Sequence, residues 1–454
     1  MSPGLKKLGI QTGTFMKTTS FASLLLLGAA LPLAWAAEII EVRPPVSVAA
    51  PSLRLLAQNT AAKSAAKKSA AGRETIVKYF DSSEATGTSS AVIVGQNHLA
   101  HTAQLLPLDA GGQIIGKKDA SLQIERVLDN LQTVLTAVGS DFNRLVKVNV
   151  VVTRQKTVAE VQKAFAQHFN DSKPAVSFLV VEHLAHPDAL VAMDAVATTS
   201  KEPGKESVTR ITSSALYRSP NGSAHVAILP GGPKVYVSGQ AEPGTLGEAT
   251  RKTLESLRAT LKHLDLDESR IVQLKAFLQP MTSVEDVEAE MVRFFDKQAV
   301  PPLVFVEWVS PSPIEIELIA AANESDSNSP DTVEYFTPPG MKASPVYSRV
   351  ARINRGNTIY ISGLYGQGAL TPESQLREIF STLEYLADKT GSDLRHLVKA
   401  TYYVTDDESS NKLNDLRPKY FDPARPPAAS KAKVAGTGME NTSATLDIIA
   451  VSRK

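Results

Sequence analysis

The sequence predicts an α+β fold, built as three tandem copies of one domain whose helices cover one face of a sheet. The first observation is a helix–turn–strand unit running from Gln375 to Thr405. The second is that this unit occurs twice more. Leu131, Leu257 and Leu383 lie 126 residues apart, as do Val146, Val272 and Val398, and Gly139, Asp265 and Gly391. The third is the alternation of strand and helix patterns within each copy, which suits sheet-and-helix layers. The period is far longer than that of solenoid repeats and lets each copy bury its own core.

Within the unit, Leu376, Ile379, Phe380, Leu383 and Leu386 fall at helical spacing and line one apolar face. Gly391 ends the helix, because glycine takes a positive φ at no steric cost. Leu394, Leu397 and Val398 lead into a β-branched and aromatic strand from Lys399 to Val404. Each copy has an earlier strand, from Lys234 to Gly239 in copy two and from Thr358 to Gly363 in copy three. A second helix follows the central strand, as from Val284 to Phe295. Two strands close the copy, as from Leu303 to Val309 and from Ile314 to Ile319. Helices on one face leave the other face of each sheet apolar and in need of a partner.

At 454 residues the chain is too long for one core. Its 48 basic and 47 acidic residues balance, so no overall field favours nucleic acid. The absence of cysteine excludes disulfides, thiol catalysis, cysteine–zinc sites and a lipid attached through cysteine. Residues 1–36 read as an export signal. Lys6, Lys7 and Lys17 precede an apolar run from Phe21 to Ala36 that ends in Ala34-Trp35-Ala36. The run is short for a membrane span and Pro32 interrupts it, although an uncleaved anchor is the alternative. Met16 offers a second start. Residues 37–74, rich in Ala, Pro and Lys, read as a solvated spacer. The expected domains are 75–200, 205–322 and 333–454, with a polar linker over 323–332. The protein is expected to be exported, periplasmic or secreted, with no stable membrane span once the signal is removed.

Across 75–454 the copies resemble the RidA/YjgF family, also called endoribonuclease L-PSP. The residues that carry the resemblance are hydrophobic strands ending in Ser238-Gly239 and Ser362-Gly363, the long helix, the Val-Lys strand and an Asn-containing second helix. Pro301-Pro302 and Pro426-Pro427 then start a strand, and each copy closes on endings such as Glu315-Ile316-Glu317-Leu318-Ile319-Ala320 or Asp447-Ile448-Ile449-Ala450. The resemblance implies a chorismate-mutase-like fold, each domain a mixed β-sheet with two helices on one face. It also implies trimers with ligand clefts between subunits. Three copies on one chain would form an intramolecular pseudo-trimer; separate beads that trimerise between molecules are the alternative.

The resemblance further implies hydrolysis of imines and enamines. In the family an arginine in a Pro-Pro-Ala-Arg-Ser segment grips the substrate carboxylate, for which a bidentate guanidinium is suited. A glutamate in the last strand orients water. At the arginine position this chain reads Val176, Val304 and Ala429, so the clamp is expected to be lost; Arg425 is a nearby guanidinium. The glutamate persists only as Glu315, the expected catalytic residue, with Ala192 and Thr445 in the other copies. Its plain alternative is an edge-strand carboxylate paired with a neighbour. Ser238, Gly239, Gln240, Ser362 and Gly363 are expected to face ligand, with Thr102-Ala103-Gln104 as the counterpart in copy one. Tyr347, Asn414 and Arg425 complete the expected ligand-binding set; Gln162 and Glu288 replace the asparagine elsewhere. His98 and His101, like His183 and His186, lie three apart, so on a strand they point to opposite faces and no metal is expected. No dinucleotide fingerprint, phosphate loop or nucleophile elbow is present, and no cofactor is expected. No basic–aromatic platform supports binding RNA. The expected function is binding of a small molecule at inter-domain clefts. The alternatives are an imine/enamine deaminase-type hydrolase acting through Glu315 on a substrate without a carboxylate, and a structural protein whose clefts Val176, Val304 and Ala429 close.

Overall fold

A computed structural model describes residues 67–68, 74–204, 208–296, 298–323, 331–368 and 371–453. The expected signal, most of the spacer and most of the 323–332 linker lie outside the described residues. After a short β1–β2 ladder (Lys67–Lys68 and Glu74–Thr75), copy one runs β3 (Val77–Ser83), β4 (Thr88–Val94), β5 (His98–Thr102), α1 (Ala120–Ala137), β6 (Leu145–Val152), α2 (Thr157–His168), β7 (Ala175–Val180) and β8 (Val191–Thr199). Copy two runs β9 (Thr209–Ile211), β10 (Val226–Leu229), β11 (Lys234–Gln240), α3 (Leu246–His263), β12 (Ile271–Leu278), α4 (Val284–Phe295), β13 (Leu303–Glu307) and β14 (Ile314–Ala321). Copy three runs β15 (Val333–Phe336), β16 (Val350–Ile353), β17 (Thr358–Ile361), α5 (Pro372–Lys389), β18 (Leu397–Val404), α6 (Asp407–Tyr420), β19 (Ala428–Lys433), β20 (Gly436–Thr437) and β21 (Ala444–Val451).

The helices begin and end for local reasons. Thr245 and Glu248 cap α3 reciprocally, and Thr371 and Ser374 do the same for α5, with Pro372 pre-set at the first turn. After α1, α3 and α5 the chain turns at Gly139, Asp265 and Gly391, with φ of 66°, 54° and 82°. The left-handed turn is therefore kept even where copy two carries an aspartate. Beyond it lies the central strand. Leu131 and Leu135, Leu257 and Leu261, and Leu383 and Leu386 are buried in three separate cores between helices and sheet. Among the described residues, no helix is long and apolar enough to cross a membrane.

Each copy contributes a four-stranded mixed sheet, ordered β7-β6-β8-β5, β13-β12-β14-β11 and β19-β18-β21-β17. The first two strands of each are parallel. The early hairpin of each copy does not stay at home. β10 pairs with β5 of copy one, β16 with β11 of copy two, and β4 with β17 of copy three. Only residues 95–97 connect β4 to β5, yet these two strands lie against different partners.

Strand register revises two sequence expectations. Val176 lies opposite Val148, Leu303 opposite Leu274 and Ala429 opposite Ala400. Leu303, not Val304, is therefore the copy-two counterpart of Ala429. On the early strands, His101 faces Val196 as Tyr236 faces Ile319 and Tyr360 faces Ile449. Ala103, not Thr102, therefore matches Ser238 and Ser362. In both places a match anchored on a short motif, Pro-Pro or the glutamine after the turn, slipped by one residue, and in a strand one residue exchanges faces. The sheet face away from the helices was expected to be apolar. It does carry apolar clusters, including Val146, Val196, Val272 and Tyr360, and among them sit buried Lys147, Asp194, Glu317 and Lys399, which were not expected.

Candidate functional site

The Ser-Gly turn of copy two meets β16 and β19 of copy three. Ser238 N–H donates to Arg349 O at 2.9 Å. Its hydroxyl donates to Ser348 O at 2.6 Å and accepts from Ala429 N–H at 2.7 Å. Gly239 N–H donates to Ser430 Oγ at 3.2 Å. A Cβ at residue 239 would stand 1.9 Å from Glu315 Oε1, so a larger residue here would displace the Glu315 side chain. The Glu315 carboxyl thus lies directly over the turn.

Burial pushes the Glu315 carboxyl up to about 7, with Glu317 adding to the rise; Ser430, Lys399 and Arg349 oppose it. Arg349 stands before β16 with its guanidinium 5.1 Å from the centre of the Tyr347 ring. Its Nε is buried and has no hydrogen-bond partner. One junction therefore gathers a carboxyl that titrates near neutrality, a guanidinium, an aromatic face and a backbone turn.

The other two junctions keep the backbone contacts and lose this chemistry. Between copies three and one, Ser362 Oγ donates to Ser89 O at 2.6 Å and accepts from Val176 N–H at 2.7 Å, while Gly363 N–H donates to Val176 O at 2.9 Å. Thr445 occupies the glutamate register, opposite Tyr403 as Glu315 is opposite Phe277. Between copies one and two, Ala103 N–H donates to His225 O and Gln104 N–H to Leu303 O, at 2.8 and 2.9 Å. Ala192 takes the glutamate register there, opposite Val151.

The remaining expected ligand residues sit elsewhere or are engaged. Gln240 Nε2 donates to Thr260 Oγ1 at 2.8 Å, inside copy two. Asn414, on α6, accepts from Arg417 at 2.6 Å and from Lys431 at 3.2 Å. Arg425 donates to Arg395 O and Val333 O, pairs with Asp331 at 3.4 Å and stacks on Tyr335. His183 bonds Glu307 at 3.1 Å; with Glu182 they bring one ligand atom each within 4.8 Å, the one group among the described residues able to gather round a metal ion.

Sequence reasoning missed a cavity of about 50 Å³ lined by all three copies. Lys147 and Asp447 pair across copies one and three at 2.7 Å, and Lys399 and Glu317 across copies three and two at 2.5 Å. Lys275 reaches Glu317 only at 3.9 Å, and Asp194 accepts from Asn149 at 2.8 Å. The signal was present in the recurring acid of the last strand, Asp194, Glu317 and Asp447. Strand-by-strand reading gave it no partner.

A family model described as endoribonuclease L-PSP matches residues 81–199, 223–322 and 340–452, well over half of the chain. The chain belongs to the endoribonuclease L-PSP family. Relatives of this L-PSP chain each span roughly one copy. A RutC family protein of Pyrococcus abyssi is 31% identical over 109 residues, 24% of this chain and 84% of that protein. Protein DfrA of Myxococcus xanthus is 30% identical over 111 residues, again 24% and 84%. Among solved structures, a Rid-family protein of unknown function from Yersinia pestis is 28% identical, covers 25% of this chain and 87% of its own, and has a TM-score of 0.24. A putative endoribonuclease from Thermotoga maritima is 27% identical, with coverages of 27% and 97% and a TM-score of 0.22.

Proposed function

We propose that this L-PSP-family chain binds a small molecule in the groove between copies two and three. The copies pack as an intramolecular pseudo-trimer, and the other two junctions have no acid in the Glu315 register. One observation carries the reading: among the three junctions, only this one sets an acid, Glu315, and a guanidinium, Arg349, beside the same turn. The family's clamping arginine is lost, since Val176, Leu303 and Ala429 hold its register. Arg349 offers a cation from the segment just before β16. The protein acts after export, which the N-terminal charge and hydropathy pattern supports.

A second reading is favoured by the elevated Glu315 carboxyl. A group titrating near 7 can hold or release a proton at neutral pH. In that reading Glu315 protonates an imine nitrogen and accepts a proton from the attacking water. The net reaction consumes one water and releases ammonia and a carbonyl compound.

Two assays on the purified protein separate these. With 2-iminobutanoate generated in situ, binding alone predicts ammonia release no faster than the protein-free control. Hydrolysis predicts turnover that Glu315→Gln abolishes. Titration with 2-oxobutanoate should raise the melting temperature, as any ligand of the folded state does, and Arg349→Leu should remove the rise. No shift in the wild type with any small carboxylate, and no turnover, would leave the groove without a function.

A further inference from the structure

We propose that the β3–β4 hairpin is a clasp that closes the chain on copy three, and that a second copy of this chain can accept the same hairpin in its place. The inference rests on strand pairing and is independent of the ligand reading. Copies two and three pass their hairpins to the copy just before them in sequence. The hairpin of copy one instead pairs with copy three. Ala91, Val92, Ile93 and Val94 lie opposite Ile361, Tyr360, Ile359 and Thr358. Ser362 N–H donates to Ser90 O at 3.0 Å, and Gln96 Nε2 to Gly356 O at 2.7 Å.

Each molecule therefore owns one donor hairpin and one acceptor edge. If the hairpin leaves, β17 presents an unpaired edge beside Ile359, Tyr360 and Ile361, all buried in the closed form. Such an edge is a template for another strand. A reciprocal exchange between two molecules rebuilds every contact of the closed form. Only the tether distinguishes them, and its local concentration favours self-closure in dilute solution. The three residues at 95–97 already carry the chain from β4, beside β17 of copy three, to β5, beside β8 of copy one, within one continuous sheet, so exchange needs no new turn within the hairpin.

The chain has no cysteine, so two introduced thiols are the only ones present. In dilute solution Ile93→Cys with Ile359→Cys should oxidise to a monomeric cross-linked product. Ile93→Cys with Ala100→Cys, the pair a hairpin kept within copy one would bring together, should not. Tagged and untagged wild-type chains should then be unfolded together and refolded at rising concentration. Mixed dimers should co-purify in a fraction that grows with concentration, and chains mixed after refolding should yield none. Cross-linking at 93 and 100 in preference to 93 and 359, or the absence of mixed dimers at every concentration, overturns the clasp.

Discussion

Glu315 and Ser238 show how much one side chain decides at the junction of copies two and three. The Glu315 carboxyl is higher in the folded chain, about 7, than its ordinary 4.5. The folded state therefore holds a proton that the unfolded state has released, and stability falls as pH rises from about 4.5 through 7. Melting temperatures measured across that range should show this decline in the wild type and a flatter profile in Glu315→Gln. Ser238→Ala removes a hydroxyl that both accepts from and donates to the backbone of copy three. With two buried backbone groups left unpaired, it should cost about 1–3 kcal/mol in denaturant titrations, with little effect on pH dependence. At this scale the sequence was partly legible. Glu315 and the Ser-Gly turn were visible from the order of motifs. Arg349 was not, because its approach to Glu315 depends on a strand from the next copy, which no local pattern encodes.

Among the elements, the central and closing strands carry the buried charges that join the copies. Lys399→Met would leave Glu317 buried, with Lys275 at 3.9 Å as its remaining ion-pair partner. Breaking such a pair costs about 3–5 kcal/mol. Adding Glu317→Leu should recover most of that loss, since replacing both members by apolar groups is often neutral; chemical denaturation of the single and double variants checks it. The helices and central strands were readable because their apolar spacing and turn residues are local. The slips at Leu303 and Ala103 arose where a short motif, the Pro-Pro pair or the glutamine after the turn, was taken as the anchor; Leu303 and Ala429 themselves keep the 126-residue spacing. The hairpin strands of each copy went unread. Their short apolar runs pair with another copy, and the energy that fixes them comes from that partner.

At the level of the whole molecule, the passing of hairpins from copy to copy makes the three cores interdependent. Unfolding followed by circular dichroism and by tryptophan fluorescence should give coincident, single transitions. Residues 205–322 expressed alone should lack a cooperative transition, because β11 would lose β16 and β10 would lose β5. Repetition itself was plain from the evenly spaced leucines, valines and turn residues. The way the copies exchange strands was hidden, because a repeat unit reveals its own boundaries and not which neighbour completes it. The same central-strand register holds Lys147, Gln273 and Lys399, and Gln273 has taken up a separate bond to Thr102 O at 2.8 Å. In an assembly of identical subunits every substitution is made in triplicate, and all three grooves bear its cost or benefit together. Here each position is encoded independently, so one junction can change its chemistry while its neighbours hold the scaffold.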